Sequence, residues 1–115
     1  MPTADLTGMP EAVLQRLLLA HANLLPRCRV WRANVGAVKT PKGWLKFGRV
    51  GQADITGLIG LHGRRLEIEC KRLQGGKQSD EQRAFELEIT NAGGLYILAR
   101  DFEPTMEILR KECER

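Results

Sequence analysis

The stretch Leu66-Glu67-Ile68-Glu69-Cys70-Lys71 contains the residues that carry the chemistry of this chain. Apolar and charged residues alternate along it, which predicts a β-strand whose successive side chains point to opposite faces of a sheet. The apolar residues, beginning with Leu66, suit a protein core. On the charged face, Glu69 and Lys71 lie about 6–7 Å apart, because a strand rises about 3.3 Å per residue. A carboxylate and an amine at this separation can hold a metal ion with one group and a water or phosphate with the other.

A second predicted strand, residues 53–61, precedes this one and carries Asp54 near its start. The link His62-Gly63 indicates a hairpin, because glycine favours tight turns. A turn centred there places Asp54 opposite Lys71, with Glu69 on the diagonal. Diagonal neighbours on one face are about 7–8 Å apart at the backbone, and acidic side chains can converge from there. We therefore expect two acids and one lysine on one face of a hairpin.

The chemistry of this cluster favours a hard divalent cation. The oxygen ligands of Asp54 and Glu69, without a nearby histidine or cysteine side chain, suit Mg²⁺ or Mn²⁺ rather than zinc. The backbone carbonyl of Cys70 is a further candidate ligand, and Lys71 can orient a water or stabilise charge on a phosphate. Metal-assisted phosphodiester hydrolysis requires these parts. The alternative is a surface Asp–Lys pair across two strands, which contributes little to stability.

Length and composition predict one domain over residues 1–115, with 43% hydrophobic residues available for its core. Cysteines at positions 28, 70 and 113 are too widely spaced for a zinc motif, and we expect free thiols in a reducing compartment. No secretory signal and no run long enough for a membrane span are evident, so we expect a cytoplasmic protein without a membrane partner.

A basic segment between Pro26 and Val50 favours a polyanionic partner such as nucleic acid, because it contains seven basic residues and no acid. The alternative is a solvated loop that aids solubility. Trp44 and Phe47 lie among these cations and either contact nucleic acid or anchor the segment to the core. The candidate nucleic-acid contacts in this segment are Arg32, Lys39, Lys42, Lys46 and Arg49.

Helical spacing predicts a first helix from Pro10, with an apolar stripe that runs to Leu25 and an end at Pro26. Glu11 lies in its first turn, where the helix dipole favours acids. The alternative is that Glu11 leans towards the metal site. A strand over residues 28–35 follows. Residues 36–51 then look loop-like, and a hairpin within them is possible.

The second predicted helix opens at Ser79, which forms a capping box with Gln82. Gln82 either only caps this helix or faces the acidic cluster. The apolar run of residues 95–100 predicts a central strand, parallel to the strand before the helix. A last helix over residues 104–113 should turn Met106, Leu109 and Cys113 inward.

These motifs together resemble the PD-(D/E)xK nucleases, specifically the virus-type replication–repair nuclease (VRR-NUC) domains. The residues that carry the resemblance are Gly51-Gln52-Ala53-Asp54, Glu69-Cys70-Lys71, Gln82 and Gly94-Leu95-Tyr96-Ile97-Leu98, with Trp31-Arg32-Ala33-Asn34 and Glu11 at comparable places. One departure is Ala53, where a proline is usual in the family. Proline there would only stiffen the approach to the acid.

The resemblance implies an α/β, restriction-endonuclease-like fold with a mixed central sheet flanked by helices. It also implies Asp54 and Glu69 as ligands of Mg²⁺ or Mn²⁺, Lys71 as the catalytic lysine, Gln82 as a catalytic-site residue and Glu11 as a contributor to metal binding. No small-molecule cofactor is implied.

Stand-alone domains of this size resemble phage-encoded members that act as structure-specific DNA endonucleases. The resemblance therefore implies a homodimer, in a bacterial or phage-infected cell, that cuts branched DNA such as four-way (Holliday) junctions. A twofold dimer would supply the two sites that symmetric cutting needs. The alternatives are a flap- or sequence-specific nuclease of the same fold and a non-catalytic basic DNA-binding module.

Overall fold

The computed structural model describes residues 8–33 and 36–115, with Phe47 described by its backbone alone. Within these residues the chain forms three helices and six strands. In chain order they are α1 (Glu11–Ala22), β1 (Cys28–Arg32), β2 (Gly36–Thr40), β3 (Gly43–Phe47), β4 (Ile55–Ile59), β5 (Arg64–Cys70), α2 (Asp80–Asn91), β6 (Leu95–Ala99) and α3 (Phe102–Glu112).

The main sheet has four strands in the order β1-β4-β5-β6. The contacts of β4 with β1 and β5 are antiparallel, whereas β5 and β6 are parallel and are connected through α2. The prediction of a mixed sheet with a parallel crossover is therefore confirmed. The prediction that β6 is central is wrong, because β6 lies at an edge. Strand β6 is apolar because other elements pack on both of its faces, not because it has a strand on each side.

Helices α1 and α3 cover one face of the sheet, where Leu66, Ile68 and Cys70 join one buried cluster, as the alternation predicted. The inward residues predicted for the last helix, Met106 and Leu109 among them, belong to the same cluster. A second, smaller cluster lies on the opposite face, where Phe85 of α2 packs with Ala53 and Tyr96. The charged face of β5 is therefore covered next to β6, and Glu67 and Glu69 on it are buried rather than open to solvent.

The register of β4 and β5 differs from the prediction. Thr56 pairs with Glu67 rather than with Glu69, so continuation of the ladder places Asp54 beside Glu69 instead of Lys71. The turn lies one residue earlier than expected and covers residues 60–63. Gly60 has a positive φ of 86°, and the Leu61 N–H bonds the backbone oxygen of Arg115 at 2.9 Å. The Leu61 N–H is therefore bonded outside the β4–β5 ladder. Because partners shift by two residues, each side chain keeps its predicted face.

Helix α1 ends at Ala22, earlier than predicted. The Asn23 side chain donates hydrogen bonds to the backbone oxygens of Leu19 and Val30, and its Oδ1 accepts one from the Val30 N–H at 2.8 Å. These bonds tie the helix end to β1, so Leu24 lies outside the stripe and is 79% exposed. Strand β1 ends at Arg32, and residues 34–35, which the predicted strand included, lie outside the described residues.

The remaining elements agree with the sequence patterns. The hairpin considered within residues 36–51 forms as a separate two-stranded sheet of β2 and β3.

The three cysteines are buried free thiols, as expected. Burial raises the pKa of the Cys28 and Cys70 thiols to about 12. None of the helices in residues 8–33 and 36–115 is long and apolar enough to cross a membrane.

Candidate active site

Asp54 is held where the chain enters β4. Its Oδ2 accepts a hydrogen bond from the backbone N–H of Cys70 at 2.9 Å, and its backbone oxygen accepts one from the Ala33 N–H at 2.9 Å. The side chain therefore bridges two strand ends, and the backbone joins a third. The structure thus brings Asp54 to the end of β5, where the sequence placed the other two members of the cluster.

Glu69 is the buried partner of Asp54. The residue is 3% exposed, and its Oε2 has no hydrogen-bond partner within the described part of the protein. Burial raises its pKa to about 8, helped by a hydrogen bond with Asp54 and by the negative charge of that residue. The positive charge of Lys71 lowers this pKa, but by less than burial and Asp54 raise it. A carboxyl oxygen so deeply buried without a donor is suited to a cation.

Lys71 follows β5 directly, is half-buried and lies close enough to Glu69 to lower its pKa. A loop packs against its stem: a Cβ added to Gly76 would lie 3.3 Å from the Lys71 Cβ. Arg100 holds this loop, because its guanidinium donates to the backbone oxygens of Arg72 at 2.8 Å and Gly76 at 2.7 Å. The loop thus limits the conformations that Lys71 can adopt.

Two further predicted ligands lie beside the pair. Glu11 is exposed in the first turn of α1, and its charge contributes, after burial and Asp54, to the raised pKa of Glu69. The Cys70 side chain points to the core, which leaves only its backbone carbonyl available as a ligand. The roles of Glu11 and of this carbonyl in metal binding stay predictions.

Gln82 caps its own helix. Its backbone N–H donates to the Ser79 Oγ at 3.1 Å, and its Oε1 accepts from the Ser79 N–H at 2.9 Å, which confirms the capping box. The chain before Asp54 passes close by, since a Cβ on Gly51 would lie 3.0 Å from the Gln82 nitrogen. Gln82 is therefore near the approach to the acids while its oxygen is engaged in the cap.

The candidate nucleic-acid contacts have separate positions. The Arg32 guanidinium bonds the Gln15 side chain on α1, whereas Arg49 pairs with Glu88 at 2.5 Å and lies 5.5 Å from the centre of the Phe85 ring. These two arginines therefore have partners within the protein. The lysines of the segment, Lys39, Lys42 and Lys46, are exposed on the β2–β3 hairpin.

One buried network was not anticipated from the sequence. Glu67 is fully buried, and its Oε1 accepts hydrogen bonds from the Thr56 hydroxyl at 2.8 Å and the Arg65 Nε at 2.7 Å. Its Oε2, like that of Glu69, has no partner among the described residues. The available signal was its position two residues before Glu69 on the same face of β5.

The arrangement provides a small set of oxygen ligands. In the described ranges, no group of three or more His, Cys, Asp or Glu side chains is placed to hold a metal ion. The candidate ligands are therefore the neighbouring carboxylates of Asp54 and Glu69. Two carboxylates suit Mg²⁺, which keeps several waters and binds substrate phosphates in addition to a few protein ligands.

No family model matches this chain, and no curated protein or solved structure is similar enough to be matched with it.

Proposed function

We propose that this protein is a Mg²⁺- or Mn²⁺-dependent endodeoxyribonuclease of the PD-(D/E)xK type, with Asp54, Glu69 and Lys71 at its centre. The observation that carries the proposal is the position of Asp54, bound to the Cys70 N–H and beside the buried Glu69 in the strand register. The Oε2 of Glu69 lacks a donor among the described residues, and Lys71 lies two residues further along the chain. Burial of an acid against another acid costs stability, so a function for the pair is the simplest account.

The donor set of the site fits a divalent metal. Asp54 and Glu69 would hold the ion through carboxylate oxygens, and the Oε2 of Glu69 would gain a positive neighbour. When bound, such a cation supplies Lewis-acid polarisation of a phosphate and lowers the pKa of a nearby water. Glu69 would lose its proton on binding, because the raised pKa belongs to the ion-free pair.

The side chains around the site have separate tasks in this proposal. Lys71 would donate a hydrogen bond to the attacking water or to a phosphate oxygen, which stabilises the negative charge that develops there. Tyr96, which packs with Phe85, lies near the pair: burial, with smaller contributions from the charges of Glu69 and Asp54, raises its pKa to about 12. The hydrogen bond from Cys70 fixes the carboxylate of Asp54 before substrate arrives.

The proposal extends to fold type and substrate. The mixed sheet, with Asp54 ahead of β4, Glu69 near the end of β5 and α2 as the parallel crossover, supports a restriction-endonuclease-like fold. Branched DNA, with four-way junctions as the first candidate, is the proposed substrate. A homodimer would supply two sites for symmetric cutting.

A cleavage panel tests the proposal. Labelled linear, flap and four-way-junction DNAs of matched sequence are incubated with the protein in Mg²⁺, Mn²⁺ or EDTA. We expect cutting with either metal, strongest on the junction, and none in EDTA. Lys71→Ala should fold and bind DNA but not cut. If neither metal stimulates cutting of any DNA, a non-catalytic DNA-binding module replaces the proposal; if Lys71→Ala cuts normally, the site is wrongly assigned.

A further inference from the structure

Strands β2 and β3 form a two-stranded ribbon that stands apart from the main sheet. Every side chain described in it is exposed except Thr40, which is half-buried. A two-stranded hairpin is marginally stable by itself in water, and it usually needs a third strand or a packed helix. A ribbon that is exposed on both faces is therefore suited to a binding partner.

The register divides the ribbon into two different faces. Lys39 lies directly opposite Trp44, and Lys46 lies on the diagonal from Lys39 on the same face. Trp44 is 68% exposed. Val38 and Leu45 pair on the other face. One face therefore presents two ammonium groups around an indole ring, and we call it the cationic face.

The charges of the cationic face are not neutralised by the described part of the protein. No acid occurs between Pro26 and Val50, and the ion pairs formed by the described residues involve neither Lys39 nor Lys46. Arg49, which follows the ribbon, differs because it is paired with Glu88. Uncompensated lysines beside an exposed aromatic ring fit phosphates and sugars.

We infer that the cationic face of the ribbon lies on the sugar–phosphate backbone of a DNA duplex, with Lys39 and Lys46 on phosphates and Trp44 against the sugars. The inference rests on the proposed function in taking DNA as the partner. Five-residue strands span about 17 Å, which covers about five phosphates of one DNA strand at about 3.4 Å of helix axis each. The main sheet holds the acids, so the ribbon grips duplex that flanks the point of cleavage.

Binding of a fluorescein-labelled linear duplex is measured over a series of KCl concentrations in EDTA, so that no cutting occurs. The test variant is Lys39→Gln/Lys46→Gln. One control, Val38→Thr/Leu45→Thr, alters the opposite face and keeps residues that favour strands. The other control, Arg110→Gln/Lys111→Gln, removes the same net charge from the exposed last turn of α3. Circular dichroism and light scattering check folding and oligomeric state.

The double lysine variant should bind more weakly. The negative slope of its log affinity against log salt concentration should become shallower by about 1.8, or about 0.9 for each phosphate that is no longer neutralised. Both controls should keep the wild-type slope. An unchanged slope in the lysine variant, or an equal fall in the α3 control, would overturn the inference. Loss of binding or of dimers only in the Val38/Leu45 variant would also overturn it, in favour of an interface between copies of the chain. If the protein binds DNA through this face but never cuts it, the inference stands and the proposed function is wrong.

Discussion

The side chain of Asp54 accepts a hydrogen bond from the backbone N–H of Cys70, and this 2.9 Å contact joins the entry of β4 to the end of β5. The bond has two consequences. It satisfies a strand-end N–H that the sheet ladder leaves free, and it fixes the carboxyl group of Asp54 beside Glu69. One acid therefore has both a structural and a proposed catalytic task, and substitutions can separate them.

Asp54→Asn and Asp54→Ala should differ in stability but not in activity. Asparagine keeps an oxygen that can accept from Cys70, so Asp54→Asn should fold almost as stably as the wild type. Alanine leaves this N–H without its partner, which should lower the free energy of unfolding by about 1–3 kcal/mol. Urea denaturation measures the difference. Both variants should lose metal-dependent cutting, and equal stabilities would show that the hydrogen bond from Cys70 contributes little.

The stability of the metal-free protein should fall as the pH rises from about 4.5 to about 8, because the fold raises the pKa of Glu69 to about 8 from an ordinary value of 4.5. The folded state holds the Glu69 proton over this range while the unfolded state has released it, so the stabilisation is complete below pH 4.5 and absent above pH 8. Thermal melts across this range measure the trend. Glu69→Gln should remove most of this pH dependence. If the stability of Glu69→Gln falls with pH as steeply as that of the wild type, other groups cause the dependence.

Arg65→Met should destabilise the fold more than its exposed position suggests, by about 2 kcal/mol, because it deprives the buried Glu67 of a charged donor. Arg110→Met is the matched control, since its pairing with Glu103 at 3.8 Å is exposed and should contribute only about 0.5 kcal/mol or less. Chemical denaturation compares the two variants. The prediction fails if they lose the same stability. Adding Glu67→Gln to Arg65→Met should recover part of the loss.

Gly76→Ala should slow DNA cutting by up to about 100-fold with little loss of stability, because a small misplacement of a catalytic group can cost about that much. The new methyl group would press on the Lys71 side chain at 3.3 Å. Gly75→Ala is the neighbouring control: its methyl group meets nothing within 4 Å, but its φ of 93° strains the loop backbone. Single-turnover cleavage rates and thermal melts of both variants distinguish the effects. Equal slowing by Gly75→Ala would mean that loop conformation, not contact with Lys71, sets the rate.

The faces of the strands and the composition of the cluster were predictable from the sequence because they depend on a local period of two. Alternation alone put Glu69 and Lys71 opposite the core, and the capping box around Ser79 and Gln82 is equally local. These features need no knowledge of distant contacts.

The features that the sequence could not supply depend on distant parts of the chain. The Leu61 N–H at the turn after β4 bonds the backbone oxygen of Arg115, and the β4–β5 register places Asp54 beside Glu69 rather than Lys71. Similarly, Asn23 ends α1 through bonds to β1, which no helical pattern reveals. The burial of Glu67 depends on its neighbours in the sheet, Thr56 on β4 and Tyr96 on β6. Each is a tertiary contact that overrides a local signal.

Titration calorimetry with Mn²⁺ tests the central claim most directly, because it asks whether Asp54 and Glu69 together hold a cation. The wild-type protein should bind the ion and release a proton near neutral pH, as expected from the raised pKa of Glu69. Asp54→Asn and Glu69→Gln should each abolish binding, whereas Lys71→Ala should bind Mn²⁺ and fail only in cutting. Mn²⁺ binding that survives in both carboxylate variants, or its absence in the wild type, would contradict the account.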